Sequence, residues 1–468
     1  MVSEYASSWS GRHLWRSAVV VWAAAAVTVY ASLAKATDLH LTLPDAVTQA
    51  LRDAPEAKIA QLEAGQADDA LSAMQSAYWP RASISSDAGY SNRFNEKLKA
   101  VDGNGQLRRY NLATIGSKDG WFNFHVEQLL FDLSRWRNIK SAELEAEAAR
   151  VAGLQRREVI TFGVLERYVD VLRLEELLQL DQGRVRQGDW LDEQAAFMLK
   201  AGQCLPAERE QVALSGEEAR LQAAMRTEEL AHARARLRIA IGVPDTEDVG
   251  VRLVRESLPV ASDQAVDQAV EARVQASPEV RVLDIRRVME ETKASATRAE
   301  ALPTLGAGAG YTHYGAKRLD NFVDEMSVGV RLRMPLFEGF RIQHAVAGAT
   351  KAAEIARLRH RSLLETKRAN VRELRRRLVA SAQQPELARR RAHLAEERLR
   401  VADLNLRARR GNIDQSLAAR EEVVRHGTEA VAVRFDRVIL WATLQRETGE
   451  LASTIVGDEA LASLSTEE

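Results

Sequence analysis

The chain has 468 residues and carries 65 Lys and Arg against 66 Asp and Glu, a formal net charge of −1. That balance excludes a bulk electrostatic case for nucleic acid, and a single cysteine, Cys204, excludes an intrachain disulfide framework. Ten prolines over this length leave room for long uninterrupted helices.

Arg12, His13 and Arg16 precede an apolar run, Ala18 to Leu33, that ends at Ala34-Lys35-Ala36. This predicts a signal peptide over 1–36, cleaved after Ala36, so that the mature chain begins at Thr37 and is exported. No later stretch approaches the length of a transmembrane helix.

The exported part reads as one unit written twice, over 37–250 and 251–468. In each copy a Pro-Glu pair (Pro55-Glu56, Pro278-Glu279) opens a helical run, a second proline (Pro80, Pro303) follows it, and a Leu-Phe-acid tripeptide comes later (Leu130-Phe131-Asp132, Leu336-Phe337-Glu338). In chain order the first copy predicts a helix over 43–77, a strand hairpin over 81–132 and a helical hairpin over 135–241. The second predicts a helix over 262–300, a strand hairpin over 302–337 and a helical hairpin over 340–456. The first copy holds about 17 more residues between its landmarks, expected as a longer loop around 95–120.

The helical stretches space their apolar residues by threes and fours, as in Phe162, Leu165, Val169 and Leu172 or Val371, Leu374 and Leu378. This is the seam of helices packing side by side. A helix of about 66 residues would be about 100 Å long, too long for one compact domain. Gly202 with Pro206, and Gly411 with Asn412, predict chain-reversing turns, glycine stopping one helix and Pro or Asn opening the next.

The strands alternate with period two. Phe122, Phe124 and Val126 alternate with Asn123, His125 and Glu127; Val328, Val330 and Leu332 alternate with Gly329, Arg331 and Arg333. Four strands in lipid leave two edges of unsatisfied backbone, so copies must pool strands. Three copies give a barrel of about 12 strands, an even number inside the known range. Apolar-out alternation then puts Phe122, Phe124, Val126, Val328, Val330 and Leu332 against lipid, and Asn123, His125, Glu127, Arg331 and Arg333 on the wall of the lumen.

The segments LTLPDAVTQALRDAPEAKIA, AYWPRASISSDAGY and VEQLLFDLSR, with their counterparts ASPEV, ALPTLGAGAGY and RMPLFEGFR, resemble the TolC family of outer-membrane efflux and secretion proteins. The resemblance covers nearly all of the mature chain. It implies a mainly α protein with a β-barrel part: a homotrimer with a 12-stranded outer-membrane barrel, four strands per chain, continuous with a long periplasmic α-helical barrel. It implies a passive exit duct in the Gram-negative outer membrane. A periplasmic adaptor would join the duct to an inner-membrane transporter, ABC or proton-driven.

By the same resemblance the turns form a periplasmic tip or gate that holds Gly202, Glu208, Arg409, Arg410, Gly411, Asp414 and Gln415. Glu208 falls where some members bridge to a base of the neighbouring hairpin, here Arg409 or Arg410. The family's acidic ring after the second turn meets Gln415 and Ala418 in this chain, with Asp414, Glu421 and Glu422 the nearest acids. Members with a lipid carry a cysteine at the mature N-terminus. Thr37 stands there, which points to type I protein secretion ahead of multidrug or small-molecule efflux.

A soluble periplasmic coiled-coil scaffold is the reading of another class, but it needs no duplicated strand hairpins. No enzyme is expected. The sequence holds no Walker motif, no His pair at metal-binding spacing and no CxxC, and the glycines at 306–310 lie in a strand that opens no helix. No cofactor and no metal are predicted.

Overall fold

The computed structural model describes residues 39–91, 96–101, 106–112, 117–243, 251–253, 273–316, 322–457 and 461. The expected signal peptide, its Ala36 cleavage site and the start of the expected helix 262–300 lie outside these residues. The chain divides into two compact units. One takes the described parts of Met1–Lys58, Arg156–Glu271 and Asn370–Glu468; the other takes those of Ile59–Gln155 and Ala272–Ala369.

In chain order the elements are β1 (Leu39–Leu41), α1 (Leu43–Asp53), α2 (Pro55–Gln75), β2 (Arg81–Ser91), β3 (Glu96–Val101), β4 (Leu107–Leu112), β5 (Ser117–Phe131), α3 (Leu133–Lys200) and α4 (Pro206–Ala240). The second half gives β6 (Val251–Leu253), α5 (Pro278–Ala299), β7 (Thr304–Ala316), β8 (Phe322–Arg333), α6 (Arg341–Ala380), α7 (Gln384–Arg407), α8 (Ile413–Thr448) and α9 (Leu451–Val456). The order helix, strands, helical hairpin thus occurs twice. This is the mainly α fold with a four-stranded antiparallel part that the sequence predicts.

Proline accounts for two breaks inside runs expected to be single. The run 43–77 parts at Ala54, because Pro55 has no N–H to continue α1 and instead opens α2. The run 340–410 parts between Ala380 and Gln384, with Pro385 in the first turn of α7. A third break, inside 413–456, is made by Gly449, whose φ of 79° is the left-handed conformation that caps α8.

The first unit opens with a pairing that periodicity could not reveal: β1 lies parallel to β6, Leu39 opposite Val251 and Leu41 opposite Leu253. The capping box of Thr42 and Asp45 starts α1, the Asp45 N–H donating to Thr42 Oγ1 at 3.3 Å. Leu43, Ala46, Val47 and Ala50 are then buried on one helical face. Tyr168 is fully buried and donates its hydroxyl to the Leu41 carbonyl at 3.1 Å.

Glu158 of α3 is 7 % exposed. Its carboxylate accepts from the Leu451 and Ala452 N–H groups at 3.0 and 3.3 Å, satisfying the start of α9. Burial outweighs these bonds and lifts the Glu158 carboxyl from 4.5 to about 7. The folded state therefore holds a proton that the unfolded chain has already released. Below pH 4.5 both states are neutral; stability falls as pH rises to about 7, and the penalty is complete above it. The expected loss is about 3 kcal/mol between the two limits. Denaturant midpoints from pH 4.5 to 8 should show that slope in the parent and a flatter profile in Glu158→Gln.

In the second unit β2, β5, β7 and β8 form one antiparallel sheet in that order. The surplus residues of the first copy form more than a loop: β3 and β4 pair with each other, Leu98 opposite Tyr110, as a separate two-stranded ribbon. Around the sheet, α2 and α3 are tied by Arg150 to Asp68 at 2.7 Å, and α5 and α6 by Lys367 to Glu279 at 2.7 Å.

Candidate functional site

Residues directly opposite in an antiparallel pair share a face. The register aligns Ile84, Phe124, Tyr311 and Met326 in one row and Ala82, Val126, Ala309 and Val328 in the next. Phe122, Phe124, Val126, Val328, Val330 and Leu332 therefore lie on one face. The opposite face carries Asn123, His125, Glu127, Arg331 and Arg333, with Arg81 opposite Glu127 and Gly306 opposite Arg331. The apolar face is open: Val328 is 82 % exposed and Val330 69 %.

On the polar face the glycines of β7 let the His125 ring lie against that strand. A Cβ on Gly310 would come within 3.1 Å of His125 Nδ1, and one on Gly308 within 3.5 Å of Cε1. His125 Nε2 sits 3.0 Å from Glu127 Oε1. Beside them lies a cavity of about 500 Å³ bordered by Trp79, Arg81, Arg135, Arg331 and Arg333.

The two helical turns belong to the first unit and are built differently. Gly202 takes φ 70° and closes α3, with Gln203 N–H donating to the Met198 carbonyl at 2.9 Å. In the second turn the left-handed residue is Arg409, φ 56°, rather than Gly411. Gly411 serves close approach instead, since a Cβ there would stand 3.2 Å from the Cβ of Asn405. Arg410 N–H donates to the Asn405 carbonyl at 2.9 Å, and Asn412 caps α8 by accepting from Gln415 N–H at 3.0 Å.

Glu208 is engaged on its own helix, where Oε2 accepts from Leu205 N–H at 2.7 Å. Among the described residues it forms no ion pair with Arg409 or Arg410. Asp414 stands in the first turn of α8, where a carboxylate suits the helix dipole. Cys204 is buried with Leu191, Ala195, Val212, Leu406, Ile413 and Leu417 in one core that joins all four helix ends. Burial, and then Glu208 beside it, push its thiol up, which keeps it protonated and inert.

The polar centre of this tip was not foreseen from the sequence. Arg420, 7 % exposed, donates from Nη2 to both oxygens of Asp403 at 3.0 and 3.3 Å, and from Nη1 to Gln187 Oε1 at 3.5 Å. Ser416 Oγ donates to Asp403 Oδ1 at 2.7 Å. Trp190 takes Arg407 at 4.9 Å and Arg420 at 5.6 Å over its ring. One carboxylate on α7 thus holds α8, and through Arg420 the end of α3. Asp403, the carboxylate that holds Ser416 and Arg420, precedes the second turn in the chain.

Residues 269–450 match the model of a family described as outer membrane efflux protein. No curated protein matches the chain. Solved structures with the same fold include the outer membrane protein VceC of Vibrio cholerae, with TM-score 0.73 and 14 % identity over 87 % of this chain and 96 % of that one. A membrane protein from Pseudomonas aeruginosa gives 0.74 and 15 %, over 88 % and 91 %. The CmeC outer membrane channel of Campylobacter jejuni gives 0.71 and 14 %, over 89 % of each. At such identities the likeness establishes the fold. Among the described residues no helix is long and apolar enough to cross a membrane, and no cluster of potential ligands could hold a metal ion.

Proposed function

We propose that this chain, whose residues 269–450 carry an outer membrane efflux protein domain, forms the outer-membrane exit duct of a tripartite export system. The observation that carries the reading is the four-stranded sheet itself. Its edges, β2 and β8, each have one partner, and one face exposes Ile84, Met326, Val328, Val330 and Leu332, with His313 and Asp324 paired at one end of it. In water that face would drive aggregation; in lipid the open edges would cost several kcal/mol per unpaired group. Pairing β8 of one copy with β2 of the next removes both problems when the ring closes. Three copies give about 12 strands, with the apolar face against lipid and Asn123, His125, Glu127, Arg331 and Arg333 on the inner wall.

The helices support association of copies independently. On α7, Leu387, Leu394 and Val401 recur at heptad spacing and are exposed, as are Leu214 and Leu221 on α4. Such stripes are half of a coiled-coil seam awaiting the other half. The tip would then be the face that meets a periplasmic adaptor, which connects it to an inner-membrane ABC or proton-driven transporter. The duct itself is passive and does no chemistry. Type I secretion of a polypeptide and efflux of small solutes would both use the same duct, and the matched domain description names efflux without a cargo.

Detergent extraction of outer membranes should yield an assembly of three chains, and a water-soluble monomer would favour a periplasmic scaffold instead. A clean deletion then separates the cargoes. Raised susceptibility to toxic solutes with an unchanged supernatant marks efflux, whereas loss of one secreted polypeptide marks type I secretion.

A further inference from the structure

The polar face of the sheet is not evenly polar. Arg81, Arg135, Arg331 and Arg333 converge on the cavity of about 500 Å³, against one carboxylate, Glu127, which already faces His125. Among the described residues none of these four guanidiniums has an ion-pair or hydrogen-bond partner, whereas most arginines of the helices are paired with carboxylates. The floor between them is glycine: Gly306 and Gly308 on β7, with Gly329 opposite Gly308 on β8. A Cβ on Gly329 would meet nothing within 4 Å, so the absence of side chains there leaves space that a ligand could fill.

We propose that this trough is a binding site for the phosphate or carboxylate group of a water-borne anion. The guanidinium fork matches the two oxygens of such a group. Several unpaired cations in a concave wall also raise the local concentration of anions. Arg331 and Arg333 lie on the face opposite Val328, Val330 and Leu332, which selects a soluble anion over a lipid headgroup. The inference rests on the duct reading, since only a lumen brings solutes past this wall. It assigns to the membrane section a preference for anionic cargo.

The test uses the purified mature protein in planar phosphatidylcholine bilayers, with inorganic pyrophosphate as the probe. Wild-type current should be blocked in a concentration-dependent way. Block should weaken at least tenfold in Arg331→Gln/Arg333→Gln, with conductance retained. Gly329→Val keeps every charge but fills the floor; it should weaken block too, and it carries the test if the double variant does not assemble. Equal block in wild type and variants, or conductance without any block, overturns the site while leaving the duct intact. Absence of conductance overturns the duct and the site with it. Adding phosphatidylglycerol should not change the block; a block lost there would mean that headgroups occupy the trough.

Discussion

Val330→Arg should stop the chain from assembling in the outer membrane. Val330 lies in the second half of β8, opposite Ala307, on the face that also holds Val328 and Leu332. It is exposed in the single chain, so an arginine there disturbs no packing within the protomer. The expected cost comes from the solvent it meets after assembly. In the proposed ring of three chains, a guanidinium on the lipid face would cost up to about 2–4 kcal/mol at each copy. Ser327→Val is the control, because Ser327 pairs with Gly310 on the opposite face. It should leave the yield of assembled protein unchanged. The measurement is the amount of detergent-extracted oligomer for each variant; normal assembly of Val330→Arg together with loss in Ser327→Val would reverse the inside and the outside.

Asp403→Ala should loosen the hairpin tip while sparing the rest of the fold. Arg420 is buried with its charge compensated mainly by Asp403, and burial already lowers its proton affinity against that pull. Removing the carboxylate leaves a buried cation with only Gln187 and the Trp190 ring, and Ser416 loses its acceptor. Breaking one side of a buried pair typically costs about 3–5 kcal/mol. Amide exchange should therefore quicken over residues 403–420 and stay unchanged around Tyr168. Asp403→Ala combined with Arg420→Met removes both charges and should recover most of the protection. If the single variant exchanges like the parent, the network contributes nothing to holding the tip.

The parts of this molecule that were legible in the sequence share one physical property: they repeat. Period-two alternation from Phe122 to Glu127 and from Met326 to Arg333 set the sheet's two faces, because a strand turns each successive side chain to the other side. The duplicated Pro-Glu and Leu-Phe landmarks set the order of elements. Features made by a single contact between distant residues were hidden. The pairing of β1 with β6 spans three residues on each side, too few to show a period. Glu158 and Arg420 look like any charged residue in a helix, and only burial distinguishes them. Asp403 meets Gln187 through Arg420 across more than two hundred residues of chain. One miss did leave a signal: Pro385 marked the start of α7.

The open edges β2 and β8 also govern how defects are inherited. In the proposed ring of three, each chain would lend one edge to a neighbour and borrow another, so no chain would be closed by its own strands alone. A lesion that spoils β8 but leaves β2 able to pair will enter rings with normal chains and disable them. With equal amounts of normal and altered chain, only about one-eighth of rings would be wholly normal. Such alleles should behave as dominant in cells that also carry an intact copy, whereas alleles that unfold the whole chain should be recessive.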